Sequence, residues 1–218
     1  MMIRRLTSAE FSSHPINLLS MQTRWPFDSK SFLLDQAICY QRYETMPRIQ
    51  SFQPVASEEA KILILGSMPG SISLAANEYY ANPQNAFWRI IAALLGFDFS
   101  APYTERIAAL KLARIALWDV LQSCTREGSL DMRIDRDTAV ANDFAAFFDR
   151  YPAITHVFFN GAMAEACFKR HVLRKLTIRS LHYARLPSTS PANASMTLAN
   201  KSEAWQLIMI PLKQTISR

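Results

Sequence analysis

Cysteine is scarce in this 218-residue chain, and the three present, Cys39, Cys124 and Cys167, are odd in number and far apart. No Cys-x-x-Cys pair occurs, so neither a disulfide framework nor a zinc or iron–sulfur site built on cysteine is expected, and a reducing cytoplasm is the simplest home. Long apolar runs are also missing. Nothing approaches the roughly 18 uncharged apolar residues of a membrane helix, and Arg4 and Arg5 are not followed by the apolar block of a secretory signal. Glycine is limited to Gly66, Gly70, Gly96, Gly128 and Gly161. None of them builds a Gly-x-Gly-x-x-Gly dinucleotide turn or a Walker loop, which argues against nucleotide cofactors. A Gly-x-Ser-x-Gly elbow is absent too, which weakens a serine hydrolase using Ser67, His182 and Asp119.

Half of the chain is hydrophobic and 19% is charged, the balance of an ordinary globular protein. The net charge of +6 is unevenly spread. Residues 1–168 hold 15 Lys and Arg against 17 Asp and Glu, whereas residues 169–218 hold nine basic residues against Glu203 alone. Such a region either binds phosphates by releasing counterions or is a solvated basic surface, and charge does not choose between them.

Residues 1–48 lack glycine and any clear period, and read as an appendage of short pieces before a domain spanning 49–218; a start at Met46 is the other reading. From Lys61 onward, strand-like and helix-like segments alternate. Strands are expected at 61–65, 114–120, 155–159 and 178–186. Helices are expected at 85–95, 103–112 (capped by Thr104), 138–150, 162–176 and 200–212, with Gly96 closing the first. This alternation predicts an α/β fold, three αβα layers around a central, mainly parallel four-stranded sheet. Ligands collect at the carboxyl ends of such strands. The segments there are 66–70, 119–123, 160–161 and 187–193.

The first of these, Gly66-Ser67-Met68-Pro69-Gly70, can bring backbone groups close to a ligand. It is followed by Tyr79-Tyr80-Ala81-Asn82-Pro83-Gln84-Asn85-Ala86-Phe87-Trp88. Together these segments resemble the hypoxanthine-DNA glycosylase branch of the uracil-DNA glycosylase superfamily. The stretch Leu186-Pro187-Ser188-Thr189-Ser190-Pro191-Ala192-Asn193 is similar to the second signature of that superfamily, closest to its mismatch-specific thymine/uracil branch. Trp118-Asp119-Val120, with Ser123, Cys124, Arg126, Gly128, Ser129 and Asp131 after it, also fits. The resemblance runs from about Ile49 to Leu212.

It implies a monofunctional enzyme that extrudes a deaminated base from DNA and hydrolyses its glycosidic bond, with no metal or other cofactor, acting as a monomer. The first loop of the superfamily usually carries Asp or Asn before its proline to hold the attacking water; here that residue is Met68, which can do neither. The branch uses the Asn of Asn-x-Phe-Trp instead, which makes Asn85 the catalytic candidate, although Asn also caps helices. Gly66, Ser67, Met68, Phe87, Asp119 and Asn160 are the implied base pocket, with Phe87 the stacking aromatic, Asp119 a base reader or a cap, and Asn160 a reader or a turn residue. Pro187, Ser188, Thr189, Ser190 and Arg185 are the implied DNA contacts, supported by Arg179. Relatives push a Leu or Arg from the second signature into the vacated stack; this chain offers only Pro191 or Met196. Leu186 replaces a histidine used by some relatives, and His182 reads as a strand residue. Met68 and Leu186 together predict weak or absent uracil excision, with hypoxanthine favoured. No lysine matches a Schiff-base position, so strand cleavage is not expected. A mismatch-type uracil or thymine glycosylase and a non-catalytic DNA-binding module are the alternatives.

Overall fold

The computed structural model describes residues 48–128, 133–135, 137–176 and 180–213. The expected appendage, apart from Arg48, lies outside the described residues, as do Ser129, Asp131 and Arg179. The centre of the domain is a four-stranded parallel sheet in the order β3-β2-β6-β7. Its strands are β2 (Ile62–Gly66), β3 (Ile115–Asp119), β6 (His156–Asn160) and β7 (His182–Leu186). Every residue of β2 and β3 is buried, as continuous apolar runs in a sheet covered on both faces should be. Register then does something useful. Gly66 pairs with Asp119, Leu65 with Phe159, and Asn160 with Leu186, so all four strands end at one level and release their loops along one edge.

Helices cover the sheet as the alternation predicts, with local differences. The helix expected at 85–95 is Phe87–Leu95 (α2), and Gly96 closes it in the left-handed region at φ 77°, donating its N–H to the Ala92 carbonyl at 2.8 Å. Helix α3 (Tyr103–Leu112) is capped by Pro102, two positions before Thr104, which lies within the first turn. A helix was not expected at 71–76, yet Ser71–Ala76 forms α1. The helix expected from Thr138 begins at Phe144 (α4, Phe144–Arg150), because the Asp143 carboxylate accepts the Ala146 N–H at 3.0 Å and fixes the start there. Helix α5 stops at His171 rather than 176 (Ala162–His171). The last expected helix begins earlier, at α6 (Leu198–Trp205), where Thr197 Oγ1 accepts the Asn200 N–H; it tightens through a 3₁₀ turn at Gln206–Ile208 into α7 (Met209–Lys213).

The largest departure is a second sheet. Segment 121–125, expected as a loop rim, is strand β4 (Leu121–Thr125), antiparallel to β1 (Arg48–Gln50) and to β5 (Val140–Ala141). The chain leaves β3 at Asp119 and enters this sheet two residues later. Arg48 ties β1 to β4 by donating two hydrogen bonds to Ser123 Oγ, at 2.9 and 3.0 Å. The seam around Trp118 is aromatic: its ring lies 5.0 Å from that of Phe144 and 4.8 Å from that of Phe147.

At the opposite, amino-terminal edge of the large sheet, His156 and His182 are register partners with rings stacked at 4.7 Å. Partial burial, and then the neighbouring His182, hold the His156 pKa below its ordinary value. The folded state therefore binds a proton less readily than the unfolded chain, and stability falls as pH drops below about 6.5. Thermal melts of the protein should show a larger loss of Tm between pH 7.5 and 5.5 than melts of His156→Gln; equal losses would remove this pair from the acid response.

Candidate base-excision site

Each of the four strand ends contributes to one cavity of about 610 Å³, within the range that holds small ligands. The first loop, the segment carrying Tyr79, Tyr80, Asn82 and Asn85, then Asp119, Asn160 and residues 188–193 line it. Of the residues expected in a base pocket, Gly66, Ser67, Met68, Asp119 and Asn160 face this cavity, and so does Asn85. Ser188, Thr189 and Ser190 of the expected DNA contacts line it as well. Pro187 and Arg185 do not. Pro187 is half-buried and its carbonyl accepts the Trp205 indole N–H at 3.0 Å. Arg185 is exposed on the edge strand and pairs with Glu165 at 3.3 Å.

Phe87 also stands outside the lining. It is fully buried, with Trp88 and Trp205 packed edge-on against it at 5.0 and 5.8 Å. The face left over is covered by Tyr80, whose ring stacks on Phe87 at 4.0 Å and 20°. Tyr80, not Phe87, is thus the aromatic that meets the cavity. Its backbone sits at φ 54°, in the left-handed region that a tyrosine adopts only when its surroundings compel it. Two contacts do so here: the Phe87 ring beneath, and the Asn160 side-chain amide, which donates to the Tyr80 hydroxyl at 3.0 Å.

Asn160 is committed within the protein. Its second amide proton goes to Thr189 Oγ1 at 2.8 Å, and its oxygen accepts the Thr189 N–H at 2.9 Å. Both donors are used, leaving one lone pair on Oδ1 for anything in the cavity. Thr189 in turn gives its carbonyl to the Ala86 N–H at 3.0 Å, joining the second-signature loop to the residue beside Asn85. Further along the loop, Asn193 donates to the Ser188 carbonyl at 3.1 Å, and the buried Lys201 ammonium donates to the Asn193 carbonyl at 2.8 Å. Burial holds the Lys201 pKa below its ordinary value. Close approach is made possible by Gly161, at φ 96°, where a Cβ would come within 2.8 Å of the Ser188 Cβ.

Asn85 both caps and faces the cavity. Its Oδ1 accepts the Phe87 N–H at 3.0 Å at the start of α2. That uses one of two lone pairs and neither amide proton. Asp119 is 3% exposed, ends β3, and its carbonyl accepts from the Asn142 side chain at 2.8 Å. Burial, and secondly the Asp119 charge, push the Tyr79 pKa well above its ordinary value, so this phenol stays neutral. The first loop is held from the small sheet: Arg126, 5% exposed, donates to the Pro69 carbonyl at 2.6 Å and to the Gly128 carbonyl at 2.9 Å. His182 begins β7, whereas Ser67 and Asp119 lie at the carboxyl edge, a strand length of roughly 13 Å away at about 3.3 Å per residue. A Ser67–His182–Asp119 triad does not assemble. Among the described residues, no group of three or more His, Cys, Asp or Glu is gathered to hold a metal, and no helix is long and apolar enough to cross a membrane.

A parallel sheet with an aromatic-backed cavity at its carboxyl edge places a small-molecule site where such folds bind their ligands. The family model described as the uracil DNA glycosylase superfamily matches residues 53–209, and the chain belongs to that superfamily. Two relatives carry the name hypoxanthine DNA glycosylase. That of Methanosarcina barkeri is 42% identical over 113 residues, 51% of this chain and 70% of its own. That of Methanosarcina acetivorans is 33% identical over 162 residues, 73% of this chain and 96% of its own. A solution NMR structure of a candidate uracil DNA glycosylase from Methanosarcina acetivorans matches with a TM-score of 0.65 and 32% identity, over 77% of this chain and 99% of that one.

Gly66 offers a direct check on how tightly the cavity is built. A Cβ at this position would overlap Asp119 Oδ1 and come within 3.1 Å of the Tyr80 hydroxyl. Asp119 is buried and has little room to move. Gly66→Ala should therefore lower stability by about 1–3 kcal/mol, as overpacking does, and weaken ligand binding at the cavity. Melting and DNA titration of the variant measure both, and an unchanged Tm would contradict this packing.

Proposed function

We propose that the protein excises hypoxanthine from deoxyinosine-containing DNA by hydrolysis, leaving an abasic site. One observation carries this reading: Asn85, Tyr80, Asp119 and the loop 188–190 line a single cavity backed by an aromatic stack. The names of the two relatives favour hypoxanthine as the base. In this reading the extruded purine stacks on Tyr80 from the cavity side, while the buried Asp119 and the remaining Asn160 lone pair meet its polar edge. Hypoxanthine offers one N–H donor there, at N1, which suits an acceptor.

The bond from C1′ to N9 breaks with its electron pair leaving on the base, and the cationic sugar then takes up water at C1′. The proton that the water gives up passes to solvent, while the departed purine is protonated in turn. Asn85 has one Oδ1 lone pair and two amide protons with which to orient the water. It has no carboxylate with which to take a proton from it. The chemistry must then lean on departure of the base, with a sugar that becomes cationic before the water adds, and with a site that binds this transition state better than the intact nucleotide. Met68, buried at 6% exposure in the first loop, supplies no polar help. Excision of uracil should be weak for that reason. The backbone of Ser188–Ser190, held by Asn160, Asn193 and Lys201, is suited to grip the flanking phosphates.

The test is a glycosylase assay on oligonucleotides carrying inosine, uracil or a G·T mismatch, with alkali to cleave abasic sites. Inosine strands should be cut fastest; intact inosine DNA beside cleaved G·U would favour mismatch-type uracil excision instead. Asn85→Ala should lower single-turnover excision by about 100-fold, the scale of losing a positioned catalytic group, while DNA binding stays within about threefold. Unchanged turnover in this variant would remove Asn85 from the mechanism.

A further inference from the structure

Extruding a base leaves a hole about two stacking steps high in the duplex, and water fills it poorly, so an apolar side chain placed at the cavity mouth holds the duplex open. Residues 190–193 do not offer one. Pro191 and Ala192 are exposed but small, and Asn193 is polar and tied to Ser188. Met196 is half-buried and does not line the cavity. Nine large hydrophobic residues are exposed among the described residues, and one of them, Ile72, also lines the cavity. It is 48% exposed, in the first turn of α1, on the first-loop side of the mouth.

We infer that Ile72 is the wedge that enters the DNA stack when the base is extruded. This rests on the glycosylase reading above. Three features suit the residue to the task. Its backbone is fixed: the Leu74 N–H bonds to the Gly70 carbonyl at 2.9 Å, Ser73 Oγ accepts the Ala81 N–H at 3.2 Å, and Arg126 grips Pro69. An isoleucine is stiff at χ1, so insertion costs little side-chain entropy. Its exposed apolar surface has no packing partner to give up in the free protein beyond the half already buried. The wedge thus comes from the loop after β2, on the side of the cavity that also carries Met68, while the second-signature loop serves as a phosphate grip.

Excision of inosine from duplex and from single strands by the wild type, Ile72→Ala and Ile72→Leu tests this directly. Fluorescence of 2-aminopurine beside an uncleavable 2′-fluoro-deoxyinosine in duplex DNA reports extrusion without turnover. Ile72→Ala should lower the ratio of duplex to single-strand rates about tenfold, in keeping with the few kcal/mol of unstacking a wedge opposes, and should lower the fluorescence gain in parallel. Ile72→Leu should restore both. An unchanged ratio and unchanged fluorescence in Ile72→Ala would overturn the inference, as would a wild type that cuts single strands alone. A wild type that leaves every inosine strand intact would instead sink the glycosylase reading.

Discussion

Asn160 ties three parts of the site together through one side chain. It ends β6, donates to the Tyr80 hydroxyl and to Thr189 Oγ1, and accepts the Thr189 N–H. Asn160 is half-buried, and removing one of its partners leaves a polar group to be satisfied again, at a cost of about 1 kcal/mol. Those bonds hold an otherwise unfavourable tyrosine backbone in place, and they fasten the loop after β7 to the loop after β2. Without them the cavity would have neither its aromatic floor nor a fixed rim.

The small antiparallel sheet acts on the same site from the other side. Its strand β4 leads to Arg126, which holds the Pro69 carbonyl, so the first loop is fixed by a guanidinium rather than by a side chain of its own. Val120 and Leu121 add to this by donating their N–H groups to the carbonyls of Gly66 and Ser67 at 2.9 and 3.1 Å. The consequence is that the loop presents shape and little chemistry. Met68 is buried within it, and Asn85, Asp119 and Asn160 are among the polar side chains that line the cavity.

Much of this was legible in the sequence. The run Ile62-Leu63-Ile64-Leu65 before a glycine, and the apolar stretches at 114–120 and 155–159 between helical patterns, pointed to the parallel sheet, because strands buried on both faces read as near-continuous apolar runs. The loops at their ends located the cavity. Tyr80 was not legible as its floor, since its exposure depends on Phe87 turning inward between Trp88 and Trp205, contacts set by α2 and α6 from distant parts of the chain. The second sheet was hidden for a similar reason: β1 and β5 contribute three and two residues, too few to carry a period. Arg126 could be quoted as part of a motif, but its hold on Pro69 spans 57 residues and no local pattern reports it.

The account stands on the claim that an extruded purine lies on Tyr80 with Asn85 beside its sugar. A crystal structure of the protein with duplex DNA containing 2′-fluoro-deoxyinosine tests this most directly. The hypoxanthine ring should lie stacked on Tyr80 from the cavity side, its edge toward Asp119 and Asn160, with a water held between the Asn85 amide and C1′. A base left in the helix, or one seated in the cavity with Asn85 turned away from its sugar, would contradict it.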